Sequence, residues 1–343
     1  MVLSARTDPS SMPDPAPTVS VLIANWNGRE VLADCLRSLF EKTSGVSFET
    51  IVVDDASTDH SVQMLKSDFP GVQVVLNEKN LGFVRSNNRG LRAASGRYVF
   101  LLNTDTIILN NALKILSGFL DSHPDVGACG GWLRNRDLTS QISYGDFPSF
   151  SQALVDAFFL NDLFPGAHFP NRGAVPKTPT ADPCEVSYIC GADLLVRREL
   201  VNRIGLFDEQ FQAYCEETDL CYRIKRVERL KVYFVPEAQI VHLGGASYGK
   251  LGKRQLQLQY DSYDKFLTKH HGNFYSFFTR LLYAWHYAVK SIVRYVYYLA
   301  AGRSEKERQW MQFLKAMYTV KYSLMPRLPV DSRQPVPDMP RKT

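Results

Sequence analysis

From residue 19 to about residue 131, short continuous apolar runs alternate with helical patterns, and the first four runs end in asparagine or aspartate. The runs are "VSVLIAN" (19–25), "FETIVVDD" (48–55), "VQVVLN" (72–77) and "RYVFLLN" (97–103), with a fifth over 126–131. Helices are predicted over about 28–42, after the Ser57-Thr58-Asp59 cap, over 84–94 and over 111–121. Uninterrupted apolar strands joined by helices predict an α/β fold, an open and mainly parallel sheet covered on both faces. In such sheets ligands bind beyond the carboxyl ends of the strands.

Those ends carry Asn25-Trp26-Asn27, Asp54-Asp55 with Ser57, Asn77 with Asn80, and Asn103-Thr104-Asp105. One polar strand end is ordinary turn chemistry; four on one edge predict a binding cleft. Asp105 is the sharpest case, because it lies between two apolar runs in "LLNTDTIIL" (101–109), where an unpaired charge is costly. The turn after the first strand, "NWNGRE", lacks the glycines of GxGxxG, and neither GxxxxGK[ST] nor HExxH occurs. A nucleotide bound here meets carboxylates and not a glycine cradle, so a divalent cation must stand between them. Oxygen ligands such as Asp105 suit Mg²⁺ or Mn²⁺.

The ordered segments "VSVLIANWNG", "IVVDDASTD", "NLGF…NNRG", "LLNTDT" and "GADLLVRRELVNRIGLFDEQFQAYCEETDLCYRI", followed by "VYFVPEAQIVHLGGAS", resemble family 2 glycosyltransferases, nearest to a rhamnosyltransferase-like bacterial branch. The resemblance covers roughly residues 18–250 and implies a GT-A fold, a nucleotide-diphospho-sugar-binding sheet fused to an acceptor-binding half. It implies donor contacts at Asn27, Asp54, Asp55, Asn88 and Asn103, with Asp54 on the base. It places Asn103-Thr104-Asp105 at the family's DxD, so that Asp105 holds the metal, joined by His242. It puts Glu217 in the place of the catalytic Asp, as the base of an inverting transfer, with Glu216 and Asp219 as auxiliary or acceptor-side carboxylates. The implied substrates are a nucleotide-diphosphate sugar and a glycan or polyprenyl-linked acceptor, in cell-surface polysaccharide assembly. A nucleotidyltransferase acting on sugar phosphates and a non-catalytic sugar-nucleotide-binding assembly protein are the alternatives.

The organisation expected is a disordered leader (1–17), a GT-A domain (18–250) with donor half 18–131 and acceptor half 132–250, a basic amphipathic helical region (251–325) and a flexible tail (326–343). Residues 250–343 hold 17 Lys/Arg against 6 Asp/Glu, while residues 1–249 hold 23 against 29. Such a basic tail predicts a negatively charged partner surface. Over 276–301, Phe278, Leu281, Leu282, Trp285, Val289, Ile292, Val293 and Val296 recur at helical spacing, interrupted by Arg280, Lys290 and Arg294. That is too charged for a span and fits a helix lying on an anionic membrane. A second such pattern covers 306–324, and a packed helical cap is the competing reading. The wide apolar face argues for lipid over nucleic acid. Six scattered cysteines without a CxxC pair, and a leader without an apolar core, predict a cytoplasmic protein peripheral to the inner membrane face.

Overall fold

The computed structural model describes residues 16–164, 182–244 and 253–300. In chain order its elements are β1 (Val19–Asn25), α1 (Arg29–Lys42), β2 (Phe48–Asp54), α2 (Ser61–Asp68), β3 (Gln73–Leu76), α3 (Phe83–Leu91), β4 (Tyr98–Leu102), β5 (Thr106–Ile108), α4 (Ala112–Ser122) and β6 (Val126–Arg134). There follow β7 (Tyr144–Gly145), α5 (Phe150–Ala157), α6 (Leu160–Leu163), β8 (Cys184–Glu185), β9 (Tyr188–Ile189), β10 (Asp193–Arg197), α7 (Arg198–Ile204), α8 (Glu216–Arg226), β11 (Lys231–His242) and α9 (Lys253–Ala300).

The main sheet runs β3-β2-β1-β4-β10-β6-β11-β5, with β8 pairing β11. β3, β2, β1 and β4 are mutually parallel, as are β6 and β11. β10 is antiparallel to both β4 and β6, so it joins the two parallel blocks into one sheet that passes through both expected halves. The uninterrupted apolar runs follow from burial on both faces. One face packs Leu32, Leu36 and Leu39 of α1 with Leu113, Leu116 and Leu120 of α4. The other packs Val84 of α3, Leu200 and Val201 of α7, and Leu220 and Ile224 of α8. Glycine is required at 131, where a Cβ would stand 2.5 Å from the Ala238 carbonyl oxygen of β11. β11 itself is irregular between Phe234 and Gln239, the stretch that contains Pro236, as expected for a proline inside a paired strand.

Two features depart from the alternating pattern. The apolar run after Asp105 does not continue the neighbourhood of β4. It crosses to the far edge as β5, antiparallel to β11, with Thr106 opposite His242 and Ile108 opposite Ile240. The C-terminal helix begins well before residue 276 and breaks at Gly272, whose φ of 87° and ψ of 167° are not helical. Its two segments fold back on each other around that glycine, joined by Tyr263 and Tyr283 (hydroxyl to hydroxyl, 2.9 Å). They cover a third apolar cluster with Ala153, Phe211, Phe266 and Leu267. Residues 1–15 of the leader, the second amphipathic pattern over 306–324 and the tail beyond 326 lie outside the described residues.

Candidate active site

The ends of β1, β2 and β3 are knitted together by the polar residues that terminate them. Asn25 donates from Nδ2 to Asp54 Oδ2 (2.9 Å), and the Ser57 N–H donates to Asp54 Oδ1 (2.9 Å). Each Asp54 oxygen keeps acceptor capacity for a ligand. Asn27, with φ of 50°, accepts the Thr58 N–H on Oδ1 at 2.7 Å, and its own N–H donates to Ser57 Oγ at 2.9 Å. Asp55 accepts from Asn77 Nδ2 (2.8 Å), Leu81 N–H (2.7 Å) and Gly82 N–H (2.8 Å), which fixes the loop entering α3. Asn88 spends both ends of its amide on the Phe207 backbone, at 2.8 and 3.0 Å. Asp55 and Asn88 therefore hold the framework together, while Asp54 is buried between Asn25 and Ser57 and Asn27 is exposed at the end of β1. Asn25 and Asn77 belong to this network. The sequence placed both at strand ends but gave no reason to assign them a role.

Asp105 lies in the turn that carries the chain from β4 to β5, and His242 ends β11. Their side chains converge, with His242 Nε2 3.4 Å from Asp105 Oδ1 and 3.5 Å from Asn103 Nδ2. Neighbouring ligands of an octahedral cation with bonds of roughly 2.1 Å stand about 3 Å apart, so this pair fits Mg²⁺ or Mn²⁺ with little movement. Asn103 Oδ1 is buried and has no hydrogen-bond partner among the described residues. No group of three His, Cys, Asp or Glu side chains forms a cation site among the described residues. Asp105 and His242 could supply two ligands, and a cation held there would take its others from a bound ligand or water.

The "YCEETD" segment enters α8 through two consecutive left-handed residues, Tyr214 (φ 67°) and Cys215 (φ 64°). Side chains are uncommon in that region, and such residues cluster at functional sites. The turn places three carboxylates in the first turn of α8, at its positive end. Their environments differ sharply. Glu217 lies against Gly191, and burial raises its carboxyl to about 7 despite N–H bonds from its own backbone and from Thr218. Glu216 is buried, and desolvation, then the charge of Glu217, pushes it well above the carboxylate range. Asp219 is fully enclosed and accepts from Lys269 Nζ (2.6 Å), His270 Nε2 (2.7 Å) and Arg223 Nε (2.8 Å). Burial alone would raise its pKa, but His270, Arg223 and Lys269 together hold it at about 2. Asp219, expected as an auxiliary or acceptor-side carboxylate, ties α8 to α9 through these contacts.

Glu217 and Asp105 are connected through neighbouring backbone. The Asn103 N–H donates to the Ala192 carbonyl (3.1 Å), and Gly191, the preceding residue, is the one against which Glu217 lies. Beside them Asp193 is fully buried, its carboxyl raised well above the usual range by desolvation against a single Gly131 N–H at 2.6 Å. A lone Asp in the apolar run "GADLLV" was the signal for it.

The fold is similar to that of solved GT-A glycosyltransferase structures. A structure of GalNAc-T7 with UDP, GalNAc and Mn²⁺ aligns with TM-score 0.54 at 17% identity, over 74% of this chain and 48% of that longer one. A structure of Staphylococcus aureus TarS 1–349 in complex with UDP aligns with TM-score 0.50 at 15% identity, over 88% of this chain and 81% of that one. Residues 20–205 match the model of Glycosyl transferase family 2, and the chain belongs to that family. It is 25% identical over 240 residues to the N-acetylglucosaminyl-diphospho-decaprenol L-rhamnosyltransferase of Mycobacterium tuberculosis, covering 66% of this chain and 76% of that protein. It is 26% identical over 259 residues to an uncharacterized glycosyltransferase of Rickettsia prowazekii, covering 74% and 73%.

Proposed function

We propose that this protein is an inverting glycosyltransferase that moves a sugar from a nucleotide-diphosphate donor to a hydroxyl of a glycan or polyprenyl-linked acceptor during cell-surface polysaccharide assembly. The observation that carries the reading is the half-buried Glu217, raised to about 7 by burial and lying against Gly191, whose neighbour Ala192 pairs with Asn103 beside the converging Asp105 and His242. Asp54 and Asn27 hold the donor's nucleoside at the ends of β1 and β2. Ionised Glu217 takes the proton of the acceptor hydroxyl as its oxygen attacks the anomeric carbon. The bond from that carbon to the diphosphate oxygen breaks on the opposite face, so the configuration inverts and nucleoside diphosphate leaves. A divalent cation on Asp105 and His242 supplies neutralisation of the leaving diphosphate. The decaprenol-linked substrate named for the mycobacterial relative supports a polyprenyl-diphosphate acceptor here.

A panel of nucleotide sugars, including a nucleotide-activated L-rhamnose, assayed with a synthetic polyprenyl-diphosphate acceptor, tests this. Turnover is expected for one donor, stimulated by Mn²⁺ or Mg²⁺, with release of nucleoside diphosphate. Asp105→Asn is expected to keep the circular dichroism of the folded protein and lose most of the cation-stimulated turnover. Full stimulation in that variant removes Asp105 from the metal site, and release of pyrophosphate when a nucleoside triphosphate and a sugar 1-phosphate are supplied instead would identify a nucleotidyltransferase.

The C-terminal helix supports action at a membrane surface. No described helix is long and apolar enough to cross a bilayer. Beyond Gly272, however, Phe274 (78% exposed), Phe278, Leu281, Trp285 (57%) and Ile292 (60%) face solvent. Their i, i+4, i+7, i+11, i+18 spacing forms one stripe about 27 Å long at 1.5 Å per residue. The opposite side, with Thr279, Tyr283 and Ala284, is buried against the domain. Leu282, expected among the lipid-facing residues, packs against the cluster under α9. The helix is thus a packed cap with a second, exposed apolar face, which suits a peripheral position on the inner face of the cytoplasmic membrane. The protein is expected to sediment with anionic phospholipid vesicles, less so at high salt, since each nearby Lys or Arg contributes roughly 1 kcal/mol. The pair Leu281→Glu and Trp285→Glu should abolish sedimentation and leave turnover of a soluble acceptor analogue unchanged. Equal sedimentation of that variant would assign the stripe another role.

A further inference from the structure

The imidazole of His242 can act as a cation ligand through Nε2 only if the neutral ring carries its proton on Nδ1. The structure contains the device that decides this. His242 Nδ1 lies 2.7 Å from Gln141 Oε1. The other end of the Gln141 amide, Nε2, lies 3.1 Å from the backbone carbonyl oxygen of His242 and 2.9 Å from Asn135 Oδ1. A backbone carbonyl can only accept, so the Gln141 atom facing it must be the NH₂ group and the atom facing His242 Nδ1 must be the oxygen. Asn135 is fixed by the same logic, because its Nδ2 lies 3.3 Å from the Ser140 carbonyl and 2.9 Å from Thr139 Oγ1. The chain of donors runs in one direction and ends by requiring a hydrogen on Nδ1. In the neutral ring the Nε2 lone pair is then directed at Asp105 and Asn103.

Gln141 belongs to none of the motifs that mark the donor site, and it lies 101 residues from His242 in the sequence. It reaches His242 because its own N–H pairs with the Leu133 carbonyl in the hairpin extending from β6 (2.9 Å). We propose that Gln141, oriented by Asn135, is a positioning residue that holds His242 in the Nδ1–H tautomer and so prepares Nε2 to ligate a divalent cation beside Asp105. The inference rests on the reading of Asp105 and His242 as cation ligands.

The tautomer is measured in metal-free protein by long-range ¹H–¹⁵N correlation of the histidine rings above pH 8, and cation affinity by titration with Mn²⁺ alone, followed by the signal of the free ion. Wild-type His242 is expected as the Nδ1–H form. Gln141→Leu is expected to populate the Nε2–H form and to weaken Mn²⁺ about 10–100-fold, the usual cost of losing an outer-shell partner. Gln141→Glu, which still offers an oxygen to Nδ1–H, should keep the tautomer and remain within a few-fold of wild type. If Gln141→Leu does not fold, Asn135→Ala, which frees the Gln141 amide to rotate, should shift the tautomer in the same direction. A wild type that binds no Mn²⁺, either alone or when the titration is repeated with UDP present, overturns the cation reading and this proposal with it. A wild type that binds Mn²⁺, beside a Gln141→Leu protein with unchanged tautomer and affinity, overturns this proposal alone.

Discussion

Glu217→Gln is expected to lower transfer by about 10²–10⁴-fold, the usual contribution of a positioned general base, while leaving donor binding within a few-fold of wild type. The amide has nearly the shape of the carboxylate but cannot take the acceptor's proton. The pH dependence sharpens the test. Burial raises the Glu217 carboxyl to about 7, and only the ionised form is a base. Wild-type turnover at saturating donor should therefore fall about tenfold per pH unit below that value and level off above it. In Glu217→Gln this limb should vanish, leaving a low rate without it. If Glu216→Gln proves the more damaging change at saturating donor, the base is Glu216. The buried pair then works in the opposite order, with Glu217 as its neighbour.

The largest stability effect is expected at Asp219, two residues further along the same helix. Asp219→Asn leaves Arg223, Lys269 and His270 without the carboxylate they converge on. Removing one partner of a buried ion pair costs about 3–5 kcal/mol. Linkage gives a compatible size. A pKa held at about 2 against an ordinary 3.8 corresponds to roughly 2–3 kcal/mol at 1.36 kcal/mol per unit. Because the folded value is depressed, this stabilisation is present above pH 3.8 and is lost as the pH falls through 2. Urea unfolding at pH 7 should show the midpoint of Asp219→Asn well below that of wild type, with the gap closing toward pH 2. A difference under 1 kcal/mol would mean that the α8–α9 tie contributes little to stability.

Glu217 and Asp219 mark the limit of what the "EETD" segment can tell. Its position at a helix start is legible, because acidic residues favour the positive end of the helix dipole. Which carboxylate is poised near neutrality and which is locked in its ionised form is not legible. Two residues turn a helix by about 200°, so neighbours in sequence face different surroundings. Asp219 meets Lys269 and His270, which come from a helix some fifty residues later. The stripe on that helix was visible from its spacing, but Leu282 within it turned inward once its packed side was set.

The sequence by itself determined the α/β class, the strand ends that form the rim, and the family, since apolar runs buried on both faces and polar residues at strand ends are local patterns. It also singled out Asp105 as a charge needing a partner. Only the tertiary structure decided how that partner arrives. The turn at Asn103-Thr104-Asp105 sends β5 across to the far edge, where its pairing with β11 sets Thr106 opposite His242 and leaves Asp105 beside the imidazole. Gln141 then fixes the polarity of that ring. Strand order and edge pairing follow from how the whole sheet buries its two faces. No local pattern records which distant strand closes the sheet, so the site's elements could be read in advance but their meeting could not.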